Sequence, residues 1–102
     1  MRTSRYRIAT AEVEMASADT EYEWTIPEGA RDIEVKLADS SVAWRWSDAS
    51  GAVASASGGH PVPAGGSMAD SGVEHTKQTL YFAHSDASSQ TLKVAYNVPM
   101  VR

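Results

Sequence analysis

Cysteine is absent from this chain, which excludes a disulfide framework, a thiolate metal site, a thiol nucleophile and a thiol redox pair. No run of eighteen apolar residues exists, so no segment reads as a membrane-spanning helix. The basic start, 1–7, is followed by Glu12 and Glu14, which interrupt any signal-peptide apolar region. Positive charge is scarce as well. Nine Lys and Arg stand against thirteen Asp and Glu, the pI is near 5.2, and nucleic acid is excluded as a main partner because phosphate neutralisation needs clustered cations. Large aliphatics are few: Leu, Ile, Val and Phe make up sixteen of 102 residues, under the roughly 20% at which disorder becomes a concern. A net charge of only −4, three Trp and four Tyr point instead to one folded domain with a thin core.

What is present is alternation. Tyr22, Trp24 and Ile26 alternate with Glu21, Glu23 and Thr25. Ile33, Val35 and Leu37 alternate with Asp32, Glu34 and Lys36, and Val42, Trp44 and Trp46 with Ala43, Arg45 and Ser47. A period of two with one apolar face predicts half-buried strands. Short turns at 27–30 and 39–41 predict that the three form an antiparallel meander. Residues 48–51 read as a hairpin turn, 52–57 as a weak strand of small residues and 58–66 as a loop whose prolines exclude a central strand. Residues 77–84 read as a central strand, apolar on both faces around 80–83, and 91–98 as the last strand, closed by Pro99. The first twenty residues favour strand over a short helix, because Thr and Val sit inside the run.

About seven short strands predict an all-β chain: a single small antiparallel β-sandwich, jelly-roll or immunoglobulin-like, or a small barrel, with an extended N-terminal arm. Residues 1–18 are the arm or first strand, and 19–102 the sandwich.

Chemistry is sparse. His60, His75 and His84 are separated by 15 and 9 residues, which fits no local ligand pair, and they read as solvent-facing residues of loops or strand ends. A metal site would have to assemble in space from a histidine with Asp70 or Glu74; none is expected, nor is a cofactor. Thirteen serines offer a Ser-His-Asp set only in the sense that most sequences do, and the Gly-x-Ser-x-Gly elbow is missing. Glu12/Glu14, Glu21/Glu23 and Asp32/Glu34 read as wet strand faces rather than a desolvated acid–base pair. Gly58-Gly59 and Gly65-Gly66 match no phosphate-binding spacing. The expectation is a protein that is not an enzyme.

Trp24, Trp44 and Trp46 fall on the apolar registers of their strands. Buried, they supply much of a core short of Leu and Ile; exposed as a coplanar pair, they would make a sugar-stacking platform. Val42 and Ile26 on the same registers favour burial.

The chain ends read as association surfaces. Arg2, Arg5 and Arg7 concentrate a third of the nine positive charges, and Val98, Met100 and Val101 place apolar groups where termini usually fray. These six are the candidate partner-binding residues.

The run 24–37, with its Trp24-Thr25-Ile26-Pro27-Glu28-Gly29-Ala30 strand end, resembles a segment of small structural proteins of tailed-bacteriophage virions. Val62-Pro63-Ala64-Gly65-Gly66-Ser67-Met68, then Leu80-Tyr81-Phe82 and the strand over 91–96, is similar to the later layout of those proteins. The likeness covers about residues 20–98; the N-terminal segment departs from it. It implies a β-sandwich carried on the virion, most often as a capsid decoration or cement protein. Such a protein is made in the host cytoplasm, bound to the major capsid protein or other virion proteins, homo-oligomeric, and without nucleic-acid or membrane contacts. A tail or head–tail connector component and a small carbohydrate-binding module are the alternatives.

Overall fold

The alternating segments do fold as strands, but they do not pair with their neighbours in sequence. The computed structural model describes residues 6–71 and 75–99. Its elements are β1 (Tyr6–Met15), β2 (Tyr22–Ile26), β3 (Arg31–Leu37), β4 (Trp44–Ser47), β5 (His60–Val62), β6 (Ser67–Asp70), β7 (Gln78–His84) and β8 (Gln90–Pro99). They form two four-stranded sheets, ordered β1-β8-β3-β6 (sheet I) and β2-β7-β4-β5 (sheet II), with every adjacent pair antiparallel. This is the eight-stranded order of a jelly roll. The expected β-sandwich is therefore present.

The expected meander is not. β2 and β4 lie in sheet II, on either side of β7, while β3 lies in sheet I between β8 and β6. Alternation specifies which face of a strand is buried, not which strand lies beside it. A sandwich whose two inner faces share one core accepts the same pattern from strands that cross between sheets.

Three other local readings change. Residues 52–57 form turns rather than a strand. His60–Val62, read as loop, is the edge strand β5, where Pro61 is tolerated because one side of an edge strand needs no N–H donors. Ser67–Asp70, not anticipated as a strand, is the opposite sheet's edge strand β6. The 1–18 segment resolves, over Tyr6–Met15, to a strand paired along its whole length with β8, and the tail continues β8 as far as Pro99.

The core lies between the sheets. Met15, Ile33, Val35, Leu37, Leu92 and Val94 come from sheet I, and Ile26, Trp44, Val62, Leu80 and Phe82 from sheet II. The three tryptophans share the inner face of sheet II, because Trp24, Trp46 and Trp44 stand opposite Leu80, Phe82 and His84 on β7. Trp44 is buried and packs at 6.1 Å on Phe82. Trp24 is half-buried and meets Tyr96 of the other sheet at 5.2 Å; Trp46, also half-buried, stacks at 4.7 Å on His60.

The two outer faces differ. That of sheet II is covered over β4 by the β4–β5 connection, whose Val53 is fully buried, while Glu23 and Thr25 of β2 stay exposed. Beneath that loop Arg45, on the face that alternation marks as wet, is only 6% exposed. Its Nε donates to the Val53 carbonyl (2.7 Å), Nη1 to Ser85 Oγ (2.9 Å) and Nη2 to Asp19 Oδ1 (2.9 Å). Glu21 clamps the same loop by accepting from the Gly51 N–H at 2.7 Å. Sheet I has an open outer face, crossed by the Glu12–Lys93 ion pair.

Candidate functional site

Two of the six candidate partner-binding residues lie in the described structure, and sheet I brings them together. Arg7 of β1 stands directly opposite Val98 of β8. Arg7 is exposed, and Val98 is half-buried against the core. Arg2, Arg5, Met100 and Val101 lie outside the described residues. Around this corner the surface is built by a bulge. β3 spends one extra residue against β8 between Arg31 and Glu34, with Asp32 at φ 54°. The shift sets Arg31 opposite Asn97, on the outer face with Tyr6. The guanidinium lies 5.4 Å from the Tyr6 ring centre, and Nη1 donates to the Tyr6 hydroxyl at 3.4 Å. Asn97 Nδ2 donates to Asp32 Oδ2 at 2.9 Å. Next to them Ile8 is 77% exposed.

The same end of the sandwich holds a cleft of about 270 Å³ between the sheets. Its floor is apolar (Ile26, Ile33, Trp46, Met68, Leu80), and Asp48, Asp70, His75 and Gln78 line it with polar groups. His75 is positioned by backbone bonds to the β2–β3 turn: its carbonyl accepts from Gly29 at 2.7 Å and its N–H donates to the Ala30 carbonyl at 2.9 Å. Its Nε2 lies 3.0 Å from Asp70 Oδ2, in a geometry too bent for a hydrogen bond. Asp70 and His75 therefore come together although the sequence reading expected no such site; Glu74 lies outside the described residues. Among the described residues no three His, Cys, Asp or Glu side chains converge to hold a metal ion. The cleft offers two carboxylates, an imidazole and an amide around an apolar floor.

His84 corrects the reading of the histidines as solvent-facing. It is fully buried, with Nε2 2.9 Å from the Met15 carbonyl and Nδ1 accepting from the Asp86 N–H at 3.1 Å. That pair of partners assigns a neutral ring with its proton on Nε2. Its inward turn follows from β7, where Leu80, Phe82 and His84 share one face. The cleft and the Arg45 cluster were missed in sequence because each assembles from residues far apart in the chain. Val53, a lone aliphatic among Ala, Ser and Gly, was the one available signal that the 48–59 segment packs on something.

Three carboxyls at the far end and sides are held below the usual carboxylate range. Asp19 is held there by the Ser85 hydroxyl and then by Arg45, Asp39 by the hydroxyl and N–H of Ser41, and Asp86 by those of Ser88. All three serve turns and loops rather than the cleft.

The fold defines the chain as a small eight-stranded jelly-roll sandwich. Comparison with known protein families, characterised proteins and solved structures finds no match.

Proposed function

We propose that this protein is a non-enzymatic structural component of a tailed-bacteriophage particle. It decorates or cements the capsid surface by binding the major capsid protein and stabilising the head shell. The observation that carries this reading is the meeting of Arg7 and Val98. One from the basic start and one from the apolar tail, singled out separately in sequence, they stand opposite each other on the adjacent strands β1 and β8 of sheet I. One corner of the molecule therefore offers positive charge beside apolar surface, a combination suited to an acidic, partly apolar patch on a shell subunit. The jelly-roll order is used by viral capsid domains and by lectins alike, so the architecture accommodates the reading without deciding it. The tryptophans bear on the lectin-like alternative. Trp44 is buried, and Trp24 and Trp46 pack on Tyr96 and His60, so the three do not form a flat exposed pair.

Cryo-EM of particles carrying a tagged copy of the protein is the test. Regularly spaced density on the head is expected, and it should be lost at moderate salt when Arg2, Arg5 and Arg7 are all replaced by Glu. Density confined to the tail or neck would replace the decoration reading with a tail or connector one. Absence from the particle would overturn the virion reading altogether.

A further inference from the structure

Three strands end their inward-facing rows on polar residues at the mouth of the cleft. In β6, Met68 and Asp70 stand opposite the buried Val35 and Ile33, so both turn inward. In β7, Gln78 stands opposite the buried Ile26 and begins the row that continues through Leu80 and Phe82. Asp48 extends the row of Trp44 and Trp46 just past the end of β4. Registers that elsewhere carry the core thus deliver two carboxylates and an amide to the rim of a 270 Å³ cleft with an apolar floor. No Lys or Arg lines it. Asp70 is not spent on His75, because Oδ2 lies 3.0 Å from the buried Nε2 with no hydrogen bond formed. The Asp70 side chain also stays 46% exposed, so its carboxylate is open to a ligand.

We propose that this cleft binds a small organic ammonium compound, an amine carried on a single apolar ring by a short chain. Charge and floor together select this ligand class. A carboxylate ligand of the same shape would bring a third negative charge to Asp48 and Asp70. A sugar would use the polar rim but set its hydroxyls against Ile26, Leu80 and Met68, where they lose water without gaining partners. An ammonium compound satisfies both halves of the site. Its N–H groups donate charge-assisted hydrogen bonds to the carboxylates, and its ring covers the apolar floor. Trp46 in the wall adds an aromatic surface that favours a ring or a cation. The volume falls just under the roughly 300–1,000 Å³ of sites for drug-sized ligands, which fits one ring and a short chain. The inference does not depend on shell binding, since neither Arg7 nor Val98 lines the cleft.

The test is an NMR titration of the full chain with phenethylammonium and, separately, with 3-phenylpropionate, which carries the same ring and spacer with the opposite charge. It is run at pH 8, where an ordinary imidazole is neutral and the amine probe is charged. Saturable shifts at the methyls of Ile26 and Leu80 and at the Trp46 indole are expected with the ammonium probe. Binding of the carboxylate should be weaker by about tenfold or more. Asp70→Asn keeps the side chain's shape and should weaken phenethylammonium about tenfold while narrowing the gap between the probes. Asp48→Asn, at an exposed position, should act in the same direction and serves if the first variant does not fold. Glu14→Gln, on the outer face of sheet I, should change neither affinity. Equal affinity for the two probes overturns the proposal, as does the absence of a saturable response at millimolar phenethylammonium. So do shifts scattered away from the cleft, or carboxylate variants that bind as tightly as the parent. Glucose moving the cleft signals where phenethylammonium does not would replace the amine site with a sugar site.

Discussion

Arg45 shows how a single side chain can fix a loop. Its guanidinium spans the Val53 carbonyl, Ser85 and Asp19, so it joins the β4–β5 loop to two other connections. Arg45→Met keeps the apolar stem and removes the three hydrogen bonds. We expect it to cost about 2–3 kcal/mol in a urea melt and to open residues 49–57 to limited proteolysis. Trp44 is a different case, since its buried Nε1 has no acceptor among the described residues. Trp44→Ala should cost about 3–5 kcal/mol as a cavity. Trp44→Phe discards the orphan donor along with the indole's second ring, and these effects oppose each other. Its cost should stay below about 1.5 kcal/mol, and thermal melts of the two variants decide whether the unpaired N–H is a real burden. Burial of Trp44 was legible from its alternation with Ala43 and Arg45. Burial of Arg45 was not, because the same alternation assigns it to water, and only a loop folding back across the sheet reverses that assignment.

At the level of elements, the β4–β5 connection depends on two adjacent glycines: a Cβ at Gly58 would run into the Ala52 carbonyl oxygen, and Gly59 adds a left-handed backbone. Gly59 sits at φ 76°, and a Cβ there would come within 2.8 Å of the Trp46 carbonyl oxygen and of Val53 Cγ1. Gly59→Ala therefore combines left-handed strain with a clash against backbone, and should destabilise by about 2–3 kcal/mol. Gly51→Ala, at φ 86° but facing open space, should cost only about 1 kcal/mol. The difference between the two, read from chemical denaturation, separates strain from packing. Strand positions were largely visible in sequence, since 22–26, 31–37 and 91–98 were placed to within a residue or two of the folded elements. Their partners were not. A four-residue turn such as 27–30 serves a hairpin or a crossing between sheets equally well, and the choice is made by which buried faces must meet. The short edge strands β5 and β6 were hard to see for a related reason: with three and four residues they hold too few alternations to reveal a period.

For the whole molecule, acid stability follows from the three depressed carboxyls. Asp19, Asp39 and Asp86 bind their protons less readily in the fold than in the unfolded chain. Their contribution is therefore complete above the ordinary carboxylate value and is lost as pH falls through the lower folded values, below about pH 4. Asp19→Asn should be less stable than the parent at neutral pH, and the gap should narrow as pH drops through that window. Equilibrium unfolding at several acidic pH values measures it; a gap independent of pH would mean that the Asp19 charge is not what holds the loop. The candidate site was legible only as two unconnected ends of a sequence. The meeting of Arg7 with Val98 is a property of the assembled sheet, which no local pattern encodes.

The strand order of sheet I also sets an order of events during synthesis. β8 is the last of the eight described strands to be made, yet it occupies an interior position in sheet I, between β1 and β3. Until it emerges from the ribosome, β1 lacks any strand partner and β3 has only the four-residue β6. Sheet I must therefore wait for β8, which enters between two waiting edges. Contacts this distant in sequence place folding in the millisecond-to-second range of slow β proteins. In that interval both edges are open to the wrong neighbour, and a chain truncated before Gln90 would remain there permanently.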